Sequence, residues 1–268
     1  MVDTSRFQDA DRYASYLKTA AGRLRSELAW ENLRRVLPSN ASRRRALDMG
    51  SGPGLTSQQL AQTGCEVTAL DISAEMLGLA RRQAEAPGLA ARISFVHADA
   101  RQLQELFTAE SFDVVVCHNL LEYLEDPFKT IQDMAHLLRK GGVLSILVRN
   151  RAGEVLRAAV KSGDWSLASA NLSAPTVVDT LFGEPVRVFA PAEVRNLLAR
   201  AGLEIIAESG VRVFFDYLGC EDPSEEAYRQ IFELEMKLGA QPEFAAIARY
   251  LQVIAVGARH SSTKENER

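Results

Sequence analysis

Short apolar runs alternate with stretches of helical periodicity through the first 150 residues of the chain. The apolar runs predict five strands, at 46–48, 66–70, 93–97, 112–117 and 143–148. Between the strands, apolar residues recur every three or four positions and predict helices, among them 55–63, 74–85 and 126–138. This regular alternation predicts a parallel β-sheet with helices on both of its faces.

The pattern changes on either side of this region. Residues 22–37 have helical spacing, whereas 149–190 contain several glycines and prolines and much of that stretch lacks a clear period. A long insertion after a strand is usually a lid or a substrate-binding segment. Regular helix and strand patterns then resume at 191. The predicted segments are an N-terminal helical cap at 1–44, a core at 45–150, a lid at 151–190, the rest of the sheet at 191–258 and a disordered polar tail at 259–268.

Three glycines follow the first predicted strand at alternate positions, Gly50, Gly52 and Gly54. A strand, a glycine-rich turn and a helix start, in that order, are typical of a loop that holds a nucleotide cofactor. Glycine lets the backbone approach a ligand closely, and the helix that follows offers free N–H groups. Taken alone, the pattern also fits a tight strand-to-helix turn.

Acidic residues at strand ends favour the ligand interpretation. Asp71 ends the second predicted strand, where a carboxylate can accept from both ribose hydroxyls of a nucleoside. Asp48 precedes the loop, and an acid there suits a cationic ligand rather than a pyrophosphate. Asp99 follows the third strand and either accepts from an adenine amino group or caps the next helix. The loop also lacks the G-x-G-x-x-G spacing of dinucleotide sites, so these residues indicate a cationic adenosyl cofactor.

Composition narrows the class of protein. The apolar content of 47% and charged content of 25% are ordinary for a globular protein, and the formal charge of −4 argues against coating by nucleic acid over the whole surface. Residues 1–45 are basic, with ten Arg and Lys against five Asp and Glu, which fits a solvated helix face or a basic cap over an anionic ligand. The three cysteines are far apart and no pair has metal-ligand spacing. No apolar run approaches the roughly 20 residues that span a membrane, and the N-terminal residues are polar. We therefore expect a cytoplasmic protein, and we expect no metal centre.

Four stretches together resemble the class I S-adenosylmethionine-dependent methyltransferases. They are Leu47–Gly54, Leu70–Met76, His97–Ala100 and Leu138–Gly142. The resemblance implies an α/β fold with a Rossmann-like sheet of seven strands, whose last strand is antiparallel and inserted beside the fifth. It also implies S-adenosylmethionine as the cofactor. The strand predicted at 249–256 fits that last position.

A narrower resemblance covers most of the chain. It is similar to the family of methyltransferases that esterify the carboxyl group of 5-carboxymethoxyuridine at the tRNA wobble position, through the stretches Gly22–Trp30, His118–Glu122, Gly210–Leu218 and Ala248–Tyr250. By this resemblance Arg25 binds the methionine carboxylate of the cofactor, which a guanidinium can hold through two parallel hydrogen bonds. Gly50, Ser51, Asp71, Ala100 and His118 would line the rest of the cofactor site. The predicted cofactor residues are completed by Asp48, Gly52, Ile72 and Asp99.

The predicted chemistry is the transfer of a methyl group to a carboxylate. Such an acceptor, with a pKa of roughly 4, is ionised at neutral pH and needs no general base. Arg212 and Arg249 match the narrower family and are the candidates to hold it, although Arg212 also fits a buried, paired arginine in a strand-like run. Tyr217 is predicted to shape the acceptor pocket or to pack as an ordinary aromatic. For a hydroxyl or amine acceptor, His118 would be the nearest base.

Three hypotheses for the function follow. The first is methylation of the modified wobble uridine of tRNA, which the match at Arg25, Arg212 and Arg249 favours. The second is methylation of a small metabolite enclosed by the lid, because residues 174–182 contain no Lys or Arg and 216–237 contain seven Asp and Glu against two Arg and Lys. Phosphate contacts supply most non-specific affinity for nucleic acids, and this composition offers few. The third is a cofactor-binding protein without catalysis.

Overall fold

The computed structural model describes residues 10–37, 44–84 and 88–257, so the predicted tail at 259–268 and parts of the predicted N-terminal cap lie outside it. The strands are β1 (Arg45–Met49), β2 (Glu66–Asp71), β3 (Ile93–His97), β4 (Phe112–His118), β5 (Leu138–Arg149), β6 (Thr176–Val178), β7 (Pro185–Arg187), β8 (Leu203–Val211) and β9 (Tyr250–Gly257).

One sheet of seven strands forms the centre of the molecule, in the order β3-β2-β1-β4-β5-β9-β8. Strands β1 to β5 pair in parallel, whereas β9 is antiparallel to both β5 and β8. The predicted sheet is therefore confirmed, including the position of the last strand beside the fifth. Strands β6 and β7 form a separate antiparallel pair.

Helices cover both faces of the sheet. They are α1 (Ala10–Lys18), α2 (Ala20–Val36), α3 (Leu55–Gln62), α4 (Ala74–Gln83), α5 (Leu103–Leu106), α6 (Pro127–Leu137), α7 (Arg151–Leu156), α8 (Trp165–Asn171), α9 (Pro191–Arg200), α10 (Glu225–Gly239) and α11 (Pro242–Ala245). Side-chain oxygens cap the N-termini of several of these helices. Ser73 accepts from the Met76 N–H, and Asp126, which precedes Pro127, accepts from the Lys129 N–H.

Two apolar layers stabilise the sheet, one on each face. On one face α6 and α9 pack against buried strand residues such as Phe112 and Leu144. On the other, α2 and α3 pack against Val114 and Val116, while the start of α2 packs with α10 on Leu147. The long apolar runs of β4 and β5 are thus explained by burial on both sides.

Two segments differ from their predicted form. Residues 151–190, predicted to lack regular structure over much of their length, contain α7, a π-helical turn at Arg157–Lys161, α8 and the β6–β7 pair. The strand-like run expected around Arg212 ends at Val211, one residue before it. Arg212 adopts a left-handed φ of +61°, and a 3₁₀ turn follows at Phe215–Tyr217.

A buried carboxylate explains why the strand ends at Val211. The Glu235 side chain accepts from the backbone N–H groups of Val213, Phe214 and Phe215, at 2.6, 3.0 and 2.9 Å. These N–H groups therefore find their acceptors on α10 rather than on a neighbouring strand. Alternation of apolar residues could not reveal this, because Glu235 is distant in sequence.

Candidate functional site

The carboxyl ends of the parallel strands open into a cavity of about 690 Å³. Helices α1 and α2, the segment 157–182 and the turn after β8 also contribute to its lining. Open α/β sheets bind their ligands at this edge. The strand-end residues that line the cavity are Gly50, Asp71, Asp99, His118 and Arg149, which lie at or just after the ends of β1 to β5 in turn.

The loop between β1 and α3 requires glycine for two reasons. The φ angles of Gly50, Gly52 and Gly54 are +71°, +52° and +82°, which side chains other than glycine rarely adopt. A Cβ atom at Gly50 would also lie 2.9 Å from the Leu120 side chain, and one at Gly54 would lie 2.8 Å from Ala80. The loop therefore has no room for side chains at Gly50 and Gly54, and Gly50 and Gly52 line the cavity.

Asp71 connects the glycine loop to the end of β2. The Gly52 N–H donates to Oδ2 and the Ser73 N–H to Oδ1, each at 2.8 Å. Burial raises the pKa of Asp71, whereas these two hydrogen bonds favour its charged form. Each carboxylate oxygen keeps a further lone pair, so Asp71 can also accept from two hydroxyl groups of a ligand.

A smaller cavity of about 60 Å³ adjoins the main one and shares Arg25 and Gly50 with it. Asp48 and Ser51 line this smaller cavity. Burial raises the pKa of Asp48 to about 6, although Ser57 Oγ donates to its Oδ2 at 2.6 Å. The Ser51 hydroxyl is buried without a hydrogen-bond partner in the described part of the chain. Such an unsatisfied group fits a polar ligand atom.

Asp99 has the capping role that was one of its two interpretations. Its side chain accepts from the Arg101 N–H at 2.9 Å and pairs with the Arg101 guanidinium at 2.6 Å. The bond from Arg101 lowers the pKa of Asp99. Asp99 nonetheless lines the main cavity, as do Ala100 and Ile72. Its predicted contact with adenine stays a prediction.

Arg25 is a buried cation with 7% of its surface exposed. Its Nη2 donates to the Tyr13 hydroxyl at 2.9 Å, and its guanidinium lies 5.0 Å from the ring centre of Tyr16. Within 10–37, 44–84 and 88–257, it has no acidic side chain at ion-pair distance. Because a buried charge is costly without a counter-charge, this arrangement fits an anionic ligand.

His118 is held as a neutral side chain. Its Nε2 lies 2.8 Å from Ser145 Oγ, which also accepts from Gln252 Nε2 at 3.1 Å. Burial and the nearby Arg25 lower the pKa of His118 to about 3. A group with so low a pKa is a weak proton acceptor, which disfavours His118 as a general base.

Buried arginines and buried acids line another part of the main cavity. Arg149 donates to Glu154 Oε1 at 2.9 Å and to Asp179 Oδ1 at 2.5 Å. Arg249 lies 3.3 Å from the same Glu154 oxygen. Since Glu154 and Asp179 belong to the segment 151–190, these pairs fasten that segment to the ends of β5 and β9.

Arg212 completes this group. Its Nη2 pairs with Asp216 and its Nη1 donates to the Tyr16 hydroxyl at 3.0 Å, while Arg249 Nη1 lies 3.9 Å from Asp216. The Arg249 N–H donates to the Arg212 carbonyl at 2.9 Å, which holds the two arginines side by side. Within the described ranges, Nε of Arg212 and both Nε and Nη1 of Arg249 lack a hydrogen-bond partner. We call Arg149, Arg212 and Arg249 with Glu154, Asp179 and Asp216 the arginine cluster.

Tyr250 is surrounded by positive charge. Its ring centre lies 5.7 Å from the guanidinium carbon of Arg149 and 5.8 Å from those of Arg25, Arg212 and Arg249. Burial by itself would raise the pKa of Tyr250, but the four guanidiniums lower it to about 8. The hydroxyl therefore ionises more readily than that of an ordinary tyrosine.

The predicted site residues thus converge, with one exception. All ten predicted cofactor residues line one of the two adjoining cavities, and Arg212 and Arg249 line the larger. Tyr217 lines neither, and burial raises its pKa to about 12. Its neighbour Asp216 lines the larger cavity instead. The roles assigned to these residues stay predictions.

Sequence reasoning missed most of the arginine cluster. Arg149 could have been found, because it follows the apolar run of β5 as Asp71 follows that of β2. Glu154, Asp179 and Asp216 carry no such signal, since they lie in irregular or short elements.

Comparison with known proteins identifies the family. The model of a methyltransferase domain matches residues 47–146. A tRNA 5-carboxymethoxyuridine methyltransferase from Escherichia coli (strain K12) is 32% identical over 238 residues, which are 88% of this chain and 89% of that protein. The chain belongs to this family of S-adenosylmethionine-dependent methyltransferases. The predicted class, enzymatic activity and cofactor are thereby confirmed.

More distant relatives of this methyltransferase agree with the assignment. A ubiquinone biosynthesis O-methyltransferase from Aromatoleum aromaticum is 30% identical over 161 residues, which are 60% of this chain and 64% of that protein. The crystal structure of an S-adenosylmethionine-dependent methyltransferase from Mesorhizobium loti has the same fold, with a TM-score of 0.55 and 21% identity over 85% of this chain and 97% of the other.

The described residues fit S-adenosylmethionine. Arg25 offers a buried positive charge for the carboxylate, Asp71 offers free lone pairs for the ribose, and Ser51 offers an unsatisfied hydroxyl. Two related findings concern the same part of the chain. The described residues contain no group of three or more His, Cys, Asp or Glu placed to hold a metal ion, and no described helix is long and apolar enough to cross a membrane.

Proposed function

We propose that this enzyme methylates a carboxylate, and that the acceptor is 5-carboxymethoxyuridine at the wobble position of tRNA. One observation carries the proposal: Arg212 and Arg249 line the cavity and keep guanidinium nitrogens without a hydrogen-bond partner in the described part of the chain. A guanidinium is the side chain that best matches the planar geometry of a carboxylate. The printed name of the Escherichia coli relative supports the nucleotide acceptor.

The chemistry requires orientation more than proton transfer. When bound, S-adenosylmethionine supplies a methyl group on a sulfonium, which a carboxylate oxygen takes as the electron pair of the S–CH₃ bond returns to sulfur. Because the acceptor is already ionised, the neutral His118 is no disadvantage. The residues act by holding both reactants in line and by excluding water. Arg25, Asp71 and the glycine loop would hold the cofactor, and the arginine cluster the acceptor.

A small-molecule acceptor is the second candidate, and one contact favours it. The Tyr13 ring stacks on Phe182, with ring centres 6.2 Å apart, so α1 meets the segment 151–190 beside the cavity. Such a contact encloses a small ligand well. The absence of Lys and Arg from residues 174–182 points the same way. A hydroxyl or phenol acceptor would also suit the named reaction of the Aromatoleum relative.

Transfer of labelled methyl groups separates the two candidates. The enzyme is incubated with labelled S-adenosylmethionine and either an anticodon stem-loop that carries 5-carboxymethoxyuridine, the same stem-loop with plain uridine, or a small-molecule extract. We expect label only in the modified stem-loop, and we expect mild alkali to release it as methanol, as from a methyl ester. Label confined to the extract would instead establish the second candidate.

A further inference from the structure

The cations that line the main cavity differ in whether acids neutralise them. Arg101 pairs with Asp99, and the three arginines of the arginine cluster pair with the three acids of that cluster. Arg25 lies between tyrosines near the glycine loop. Two cations are left, Arg157 and Lys161.

Arg157 has no side-chain partner among the described residues, whether carboxylate, hydrogen-bond acceptor or aromatic ring. It is half-buried and lines the cavity, so its guanidinium is accessible to a ligand there. Burial and the positive charges of Arg249 and Arg149 lower the pKa of Arg157, while the more distant charges of Glu154 and Asp216 offset this only in part. A nearby anion would relieve both unfavourable effects.

The backbone holds Arg157 firmly in this position. Arg157 follows α7 and opens the π-helical turn, a rare element that is frequent at functional sites. The Asn150 side chain caps α7 and also donates to the carbonyls of Ala246 and Ala248, at 2.9 and 2.8 Å. At Gly153 a Cβ atom would lie 2.5 Å from the Ala248 carbonyl oxygen. The start of α7 is therefore packed directly on the backbone that leads into β9.

We infer that Arg157 determines the specificity of the enzyme for a carboxylate acceptor, with Lys161 at the other end of the same turn adding positive charge. The inference rests on the proposed function and assigns different roles to Arg157 and to the arginine cluster. The arginine cluster offers directed hydrogen bonds, but its acids cancel its charge. Arg157 supplies a charge that no acid contacts at ion-pair distance, so it separates an anionic acceptor from a neutral acceptor of the same shape.

Two stem-loop RNAs test this inference. One carries 5-carboxymethoxyuridine, and the other carries the neutral carboxamide at the same atom positions. The dissociation constants of both are measured for the wild type, Arg157→Gln and Arg157→Lys, together with that of S-adenosylmethionine. For Arg157→Gln we expect affinity for the acid to fall about 10- to 100-fold, as for loss of a charged hydrogen bond, with affinities for the amide and the cofactor unchanged. Arg157→Lys should restore part of the preference for the acid.

The control is Arg82→Gln, which removes one exposed arginine on the outer side of α4 and should leave all three constants unchanged. Equal loss of acid and amide binding in Arg157→Gln would indicate a purely structural role and overturn the inference. A retained preference for the acid would overturn it as well. If the wild type neither binds nor methylates the modified stem-loop, the proposed acceptor itself is wrong, and the inference fails with it.

Discussion

The glycine loop with Asp71 and the arginine cluster line the same cavity but are built in opposite ways. The backbone N–H groups of Gly50 and Ser51 donate to the Leu70 carbonyl, and the Gly52 N–H donates to the Asp71 side chain, so residues close together in the sequence hold this region. The arginine cluster consists of buried ion pairs between side chains that are distant in the sequence. These side chains belong to β5, to α7, to the segment after β6, and to the residues just after β8 and just before β9. The first arrangement depends on local conformation, and the second depends on the whole tertiary structure.

This difference indicates how each part responds to substitution. Backbone contacts hold the cofactor site, so changing a side chain there should weaken a ligand contact and leave the fold intact. In the arginine cluster each charge is the counter-charge of another. Removal of one member therefore leaves a buried charge uncompensated, which is costly for the folded protein.

The largest predicted effect is on stability. Asp216→Asn leaves Arg212 without its acidic partner in a buried setting, and we expect the free energy of unfolding to fall by about 3 kcal/mol or more. Urea denaturation monitored by circular dichroism measures this. The matched control is Glu226→Gln, which breaks the exposed pair with Arg229 and should cost less than about 1 kcal/mol. Equal losses for the two variants would show that the cluster is not a coupled network.

An intermediate effect is expected at Arg25, and it separates binding from stability. Arg25→Gln removes a cation that has no acidic partner among the described residues, so the fold should lose little stability. The dissociation constant for S-adenosylmethionine should rise about tenfold or more, because a charged hydrogen bond is lost. Calorimetric titration measures the dissociation constant, and urea denaturation measures the free energy of unfolding. A stability loss as large as that of Asp216→Asn would remove the contrast between the two regions.

The effect that is smallest at neutral pH concerns the ionisation of Tyr250. The pKa of Tyr250 is about 8 in the folded protein, against about 10 in an unfolded chain, so between these values the unfolded state binds more protons. The contribution of Tyr250 to stability is therefore fully present above about pH 10 and is lost as the pH falls through about 8. We expect the difference in unfolding free energy between wild type and Tyr250→Phe to grow from pH 8 to pH 10 and to be flat from pH 6 to pH 7. A difference that does not change across both ranges would contradict the role of the four guanidiniums.

Much of the fold and the cofactor site could be predicted from the sequence, because their signals are local. The apolar runs that became β1 to β5 and the glycines at 50, 52 and 54 each act through their immediate neighbours. A strand-end acid such as Asp71 reaches the site wherever the strand is parallel to the others, so its position follows from the alternation of strands and helices.

The remainder depends on contacts between distant residues. Arg212 leaves the strand conformation because the Glu235 side chain on α10 accepts hydrogen bonds from the backbone N–H groups that follow it. No sequence pattern near Arg212 indicates this. Asp179 meets Arg149 only because the segment 151–190 folds back on the sheet. The sequence could suggest that Arg212 and Arg249 matter, but their pairing with acids, and the lack of an acid at ion-pair distance from Arg157, required the tertiary structure.

The reversed direction of β9 has a consequence for how such an enzyme can change. In a parallel sheet only the carboxyl ends of strands reach the ligand edge, but β8 ends there and the antiparallel β9 begins there. The connection from Arg212 to Arg249 thus departs from the cavity and returns to it, with its two ends joined by a backbone hydrogen bond. The residues at its two ends, Arg212, Asp216 and Arg249, line the cavity, whereas no residue of α10 or α11 does. These helices therefore act on the cavity only through their ends, as Glu235 of α10 does by holding the turn after β8. For protein engineering, the two ends of this connection, rather than its helices, are the place to alter the shape of the cavity without rebuilding the glycine loop.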